Sequence, residues 1–477
     1  MLYEPVIGLE VHVHLKTKSK AFCGCSTEFG AQPNTQTCPV CLGFPGSLPV
    51  LNKTALDYAI KVALALGCRV QEYTKFDRKN YFYPDLPKNY QISQYDLPLS
   101  CDGFLDIHLQ GAASKRIRIR RVHLEEDAGK LIHRQDTSLA DFNRSGIPLL
   151  EIVSEPDINS AGQAHEYLAE LKSILEYLDV SDCDMEKGSL RCDANISLRK
   201  QGSLELGVKS ELKNMNSFKA VRDALNFEIE RQKELLDSGQ AVIQETRLWD
   251  AKQLKTLSMR SKEEAKDYRY FPEPDLSTFS ISADKIAGIR KGIPELPREK
   301  LLRFIKEYGL SEYDASVLVI SRRDAIFSEQ CFKAYAPKEK KAVVNWLIGP
   351  LLSEANNRGI GLSDLKIEPA ALIELVNFVE RQEISLLSAK TVLTQMLDSV
   401  KSASEVIKEK NLLQISDTRA LEDMAEQVIK ENPAVAGDYK SGKESALMFL
   451  VGEAMKKSQG RANPKALKEI LEKNLKK

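Results

Sequence analysis

No run of apolar residues in this 477-residue chain approaches the roughly 18–20 needed to cross a bilayer, so no membrane-spanning helix is expected. Net charge is missing as well, since 68 Lys+Arg balance 68 Asp+Glu. That balance argues against a surface that is basic throughout and wraps nucleic acid, while leaving room for one basic lobe. The phosphate-binding string G-x-x-x-x-G-K-[ST] is absent, so a nucleotide site would have to be built from a sheet and metal ions. There is no G-x-S-x-G elbow, and no Ser-x-x-Lys tetrad or Cys–His pair that can be assigned to amide hydrolysis. The first five residues, MLYEP, have neither a basic start nor an apolar core, which predicts no export and a cytoplasmic setting, an organellar one being compatible too. Nine cysteines without an export signal point to metal ligation or free thiols rather than a disulfide framework.

What is present divides along the chain. Eight of the nine Cys and all six His lie before position 270, among short alternating apolar/polar runs with frequent Gly and Pro. From about Pro294 the periodicity turns helical, and the two prolines Pro294 and Pro297 mark a boundary. A second boundary is read near residues 402–411. Beyond it Leu421, Met424, Ala425, Val428 and Ile429 follow helical spacing, as do Leu447, Leu450, Val451 and Ala454, then Leu467, Ile470 and Leu471. Asn463 and Pro464 read as an N-cap and first helical residue. From Gly437 onward ten Lys/Arg against five Asp/Glu give a local charge of +5.

Alternation is the most informative signal of the first part. In residues 6–15, Ile7, Leu9, Val11, Val13 and Leu15 share one face of a strand, and Glu10, His12 and His14 the other. Residues 190–199 repeat this, with Arg191, Asp193, Asn195, Ser197 and Arg199 on the polar face. Residues 116–126 form another extended run ending in Glu125 and Glu126, followed by Asp127; Glu151 sits in an otherwise apolar strand; Lys209, Glu211 and Lys213 alternate. For any one strand, a solvated sheet face explains the pattern better than function does. As a set, repeated Glu, Asp, His and Asn are ligands for hard divalent cations, and an unpaired Glu151 among apolar neighbours would be costly. A curved antiparallel sheet with such a face suits Mg²⁺ and, through it, nucleotide phosphates.

Cys23-x-Cys25 and Cys38-x-x-Cys41 form two close pairs separated by twelve residues. Four thiolates suit a tetrahedral, closed and therefore structural Zn²⁺ site, with iron–sulfur ligation or free thiols as alternatives. Cys68, Cys101, Cys183, Cys192 and Cys331 are scattered and read as ordinary buried thiols.

The strings VIGLEVH (6–12), KFDRKNYFYPD (75–85), HLEEDAGK (123–130), DFNRSGIPLLE (141–151), GSLRCDANIS (188–197), ELKNMNS (211–217), DYRYFPEPD (267–275) and GRANP (460–464) resemble the B subunits of the aspartyl/glutamyl-tRNA amidotransferases. The resemblance spans essentially the whole chain. It implies an α+β protein: a glutamine-synthetase-like cradle domain with an antiparallel sheet (1–292), an all-α helical domain (293–404) and a small helical tail (405–477). It further implies an ATP-dependent ligase that amidates misacylated Glu-tRNA(Gln) or Asp-tRNA(Asn). Ammonia would come from a glutaminase/amidase partner, the A subunit of such enzymes, and a small C subunit would complete the assembly.

By that resemblance Glu10, His12 and Glu125 hold Mg²⁺, with Glu126, Glu151, Asp193 and Asn195 as further ligands or as partners that orient them. Lys79, Arg191 and Lys213 neutralise ATP or the developing phosphate charge, and Asp127 helps deprotonate ammonium. Against these roles stand a solvated Lys79 and a purely structural Arg191–Asp193 pair. His14 and His123 are expected to support the metal site rather than ligate. Lys456, Lys457 and Arg461 are expected to contact tRNA phosphates, or else to belong to a solvated helical surface. A zinc-containing scaffold that only binds tRNA is the alternative reading, and the acidic sheet face speaks against it.

Overall fold

The computed structural model describes residues 2–109, 113–259, 268–399, 401–414, 418–458 and 462–476. By internal contacts the chain separates into two compact units, Met1–Leu296 and Pro297–Lys477.

The first unit is built on strands β1 (Tyr3–His14), β2 (Arg69–Val70), β3 (Tyr73–Thr74), β4 (Asp77–Asn80), β5 (Tyr90–Ser93), β6 (Ser100–Ile107), β7 (Lys115–Glu126) and β8 (Lys130–His133). These are followed by β9 (Ser138–Asp141), β10 (Pro148–Ser154), β11 (Leu190–Lys200), β12 (Ser210–Lys213), β13 (Glu245–Asp250), β14 (Lys255–Ser258), β15 (Phe271–Pro272) and β16 (Phe279–Ser280). Among the described residues, nine strands form one sheet in the order β14-β13-β12-β11-β1-β10-β7-β6-β2. The expected all-antiparallel sheet needs one correction, because β12 and β13 run parallel. The chain between them is long enough for a crossover helix, α3 (Phe218–Asp237), which a parallel pair requires and a hairpin does not.

One face of the sheet is apolar. Ile7, Leu9, Val11 and Val13 of β1 are essentially inaccessible, and each such side chain contributes about 1.5–3 kcal/mol on burial. They pack into a single core with α1 (Lys53–Ala65), α2 (Ala161–Tyr177) and α3. Asn52, Ser160 and Ser217 cap these three helices, each accepting hydrogen bonds from first-turn backbone N–H groups. With helices on that side, the opposite face of β1, β10, β7 and β11 is left for charged residues. The small sheet β15-β4-β5 contributes Ser93 to that face, where its hydroxyl donates to Glu125.

The second unit is helical among its described residues. Helices Thr418–Glu431, Pro433–Lys440, Ser445–Lys457 and Pro464–Leu475 bury Leu421, Val428, Leu450 and Leu467 in a core of their own. Asn463 caps the last of them through Lys465 and Ala466 N–H, as its position before Pro464 predicts.

Candidate active site and metal centres

Strand register sets the site. His12 lies opposite Glu151 on β10 and opposite Arg191 on β11, and Glu151 lies opposite His123 on β7. This gives one row across four strands: Arg191, His12, Glu151, His123. In the next row with side chains on this face, Glu10 pairs with Asp193 and Val153, and Val153 with Arg121. In the other direction, Leu149 lies opposite both His14 and Glu125. Residues from distant parts of the chain therefore share one small patch, because side chains in register project from the same face.

Within the patch His12 Nε2 lies 3.6 Å from Glu10, 3.7 Å from Glu125 and 3.4 Å from Glu151. His123 Nε2 lies 3.5 Å from Glu125 and 3.4 Å from Glu151. Two candidate ligand groups result, Glu10–His12–Glu151 and His123–Glu125–Glu151, each with its ligating atoms within 4.8 Å of one another. They share Glu151. Burial raises the Glu10 carboxyl, reinforced by repulsion from Glu151. Burial opposes a charged His123, yet the negative charge of Glu151 and Glu125 wins and lifts it to about 9. For Glu151 burial is likewise outweighed, here by His123 and His12, which hold it well below the usual carboxylate range. Three crowded carboxylates with two imidazoles are a donor set that a divalent cation fits.

His123, expected to support the site rather than ligate, stands in one of the two candidate ligand groups. Its place is readable from β7, where residues 123 and 125 must share a face. Glu126, by the same alternation, points away. It accepts from Lys88 Nζ and from Ile92 N–H, the latter at 3.0 Å, and belongs to the neighbourhood of the cysteines rather than to the cluster. Adjacent residues on a strand cannot both face one ion.

Asp127 stands in a network of its own. It bonds His14 at 2.6 Å and pairs with Arg191 at 3.0 Å and Arg144 at 3.4 Å. Burial would raise its carboxyl, but Arg191 and His14 hold it far below the carboxylate range. Arg191 thus pairs with Asp127, and the Arg191–Asp193 pair is not formed; Asp193 takes Lys213 instead, with Glu211 at 3.2 Å from the same amine. Lys79 stands over the Tyr268 ring at 4.9 Å, and despite burial it is held charged by Glu125, Tyr270 and Glu151. Asn195 lies opposite Gly8 and lines a cleft of about 460 Å³ that Glu10 and Glu151 also line.

Cys23, Cys25, Cys38 and Cys41 converge with their sulfurs within 4.8 Å of one another. A zinc–sulfur length of about 2.3 Å places tetrahedral sulfurs roughly 3.8 Å apart, so the group suits that ion. Cys38 N–H donates to Cys41 Sγ at 3.2 Å. The Lys20 ammonium is completely buried, 3.7 Å from Cys41 Sγ and 3.2 Å from the Phe142 carbonyl, with no carboxylate partner among the described residues. A buried cation needs an anion, and metal-bound thiolates provide one. Hydrogen bonding with Cys23 draws the Cys41 thiol down to about 4, against burial and with help from Cys38 and Lys20. Of the five other cysteines, Cys68, Cys183, Cys192 and Cys331 are buried as expected, whereas Cys101 is partly exposed beside Arg69 and Asp102.

Known proteins match along the whole length. A GatB/GatE catalytic-domain model matches residues 5–287 and a GatB domain model residues 327–475. The chain belongs to the GatB/GatE family. It is 54% identical over 474 residues, 98% of both chains, to the B subunit of the aspartyl/glutamyl-tRNA(Asn/Gln) amidotransferase of Carboxydothermus hydrogenoformans. It is 52% identical over 478 residues, all of both chains, to the protein of that name from Caldanaerobacter subterraneus, and 51% over 476, again all of both, to that of Persephonella marina. The two ligand groups and the cysteine cluster all lie within the part matched by the GatB/GatE catalytic domain. In the part matched by the GatB domain, Lys456 pairs with Glu453 and Lys457 with Glu431, while Arg461 lies outside the described residues. No helix of the described residues is long and apolar enough to cross a membrane.

Proposed function

We propose that the charged face of the first unit, a glutamine-synthetase-like cradle, amidates the side-chain carboxylate of Glu-tRNA(Gln) or Asp-tRNA(Asn) in a reaction driven by ATP. The observation that carries this is the pair of carboxylate–imidazole groups joined by Glu151. A carboxylate and ammonia merely exchange a proton, so the carboxylate must be activated. Its oxygen attacks the γ-phosphorus of ATP, the bond from that phosphorus to ADP breaks, and an acyl phosphate forms. Ammonia then attacks the carbonyl carbon, the carbon–oxygen bond to phosphate breaks, and the nitrogen loses a proton to leave the amide. Glu10, His12, Glu125, His123 and Glu151 would hold Mg²⁺, which supplies charge neutralisation across the phosphates.

Lys79, with its charge kept by Glu125 and Glu151, faces the same cluster and offsets charge on the transferring group. Lys213 orients Asp193 beside Glu10. Asp127 fixes Arg191 and His14 at the rim rather than taking the proton. The four cysteines take a structural Zn²⁺. Because the sequence offers no amide-hydrolysing nucleophile, ammonia comes from a partner glutaminase, the A subunit, with the small C subunit completing the enzyme. The helical segment and the basic tail from residue 405 hold the tRNA.

The assembled enzyme, given misacylated tRNA, Mg·ATP and ammonium chloride without glutamine, is expected to form the amide and one ADP per turnover. Glu125→Gln and His12→Ala are expected to abolish this. Full activity of both variants would overturn the site assignment.

A further inference from the structure

Strand β7 breaks its own alternation. Ile117 and Ile119 face the core, and so do Val122 and Leu124, which leaves Arg120 and Arg121 together between them. The pairing explains it: Val153 lies opposite Arg121 but Ser154 opposite Ile119, so β7 carries one extra residue there. Such a bulge turns two successive side chains to one side. Arg120 stays exposed and meets Glu155 at 3.1 Å. Arg121 instead swings toward the ligand groups. Its guanidinium comes only to 3.7 Å from Glu151, beyond a hydrogen bond, and its buried Nε has no hydrogen-bond partner. Leaving a buried cationic N–H unpaired is costly, and a partner that arrives from outside would remove that penalty.

The cleft beside it indicates what arrives. It holds about 460 Å³ and runs along β1, whose residues 6, 8 and 10 share its wall. Glu10, Glu151 and Arg121 line one end; Asn195 lies opposite Gly8, and Val6, Pro156, Leu206 and Lys209 line the rest. The floor between them is Gly8, where a side chain would project toward Pro156 at 3.8 Å and narrow the passage. Carboxylates and the Arg121 guanidinium stand together at the first end. An anion with its own divalent cation satisfies both, and the surfaces of Val6, Pro156 and Leu206 farther along accept a flat uncharged group. A nucleoside triphosphate has that distribution of charge.

We infer that this cleft takes the nucleotide, and that Arg121 holds the γ-phosphoryl group while the bond to ADP breaks and the bond to the substrate carboxylate forms. This rests on the ATP-dependent reading above. Arg121 offers a planar fork that a lysine lacks, so its contribution is directional as well as electrostatic.

The test compares a triphosphate with a diphosphate. Dissociation constants of Mg·β,γ-imido-ATP and Mg·ADP are measured by calorimetry on the full chain, for wild type, Arg121→Lys and Arg121→Met. For Arg121→Met the triphosphate should weaken about tenfold or more, as expected for loss of a charge-assisted hydrogen bond, and the diphosphate by less than about threefold. Arg121→Lys should recover part of the difference, and should decide the matter if the methionine variant does not fold. In the assembled enzyme, kcat should fall with the KM for aminoacyl-tRNA unchanged. Equal weakening of both nucleotides, or of neither, overturns the assignment to Arg121. A wild type that binds neither nucleotide and forms no ADP overturns the ATP reading itself, which is a different result.

Discussion

Among single residues, the charges of the site differ in how they are partnered within the chain. Asp127 has three cationic or imidazole partners, so removing its charge strands them. Asp127→Asn should destabilise the protein by about 3–5 kcal/mol, read as a lower melting temperature. Its carboxyl is lower in the folded state than the unfolded value of about 3.9, so its stabilisation is complete above that pH and is lost progressively as pH falls below it. The variant should accordingly show a flatter acid limb in a pH series of unfolding curves, a result that a residue acting only as a base would not give. Glu151 is the opposite case, shared by two ligand groups. Glu151→Gln should weaken the affinity for Mn²⁺, followed by its paramagnetic signal, by about 10–100-fold while leaving the zinc content unchanged. His123 and Arg121 carry local marks of where they stand. His123 shares a face with Glu125 by simple alternation, and the doubled arginine at 120 and 121 is itself the mark of a bulge.

At the level of strands and loops, the end of β7 separates two chemistries within two residues. Glu125 faces the imidazoles, and Glu126 turns to Lys88 near the cysteine loop. The loop is tied down by hydrogen bonds such as Cys38 N–H to Cys41 Sγ, and Gly146, at a positive φ of 87°, leaves room between Lys20 and Cys41. Cys38→Ser should lose about one equivalent of zinc by metal analysis. Lys20→Met should speed loss of zinc to a chelator about tenfold or more, since it removes the buried positive charge next to the thiolates, whereas Lys20→Arg should retain most of it. Unchanged release in the methionine variant would mean that Lys20 serves packing alone.

Over the molecule as a whole, a neutral total conceals opposed segments: clustered carboxylates in the first unit and a tail of local charge +5. Deleting residues 405–477 should raise the apparent KM for tRNA and flatten its dependence on salt, with nucleotide binding unchanged. An unaltered KM would take the tail out of the tRNA site. Point variants are expected to be gentler. Lys456 and Lys457 each already hold a carboxylate, so single alanine substitutions should cost about 1 kcal/mol or less in tRNA binding.

Local period and spacing were enough to establish the alternation of β1 and β11, the four-cysteine group and the tail helices. They also singled out Glu10, His12, Glu125 and Glu151, as polar residues that alternation had to place on one face. Which of these meet is a matter of long-range pairing. Register across β11, β1, β10 and β7 brings distant segments side by side, and a slip of one residue would have sent Glu151 to the core and left His12 facing a leucine. The parallel β12–β13 pair, the displacement of Glu126 from the cluster, the pairing of Asp127 with Arg191 and the unpartnered Arg121 Nε all belong to the folded arrangement. None has its partner written in local periodicity, since each depends on which distant strand lies alongside.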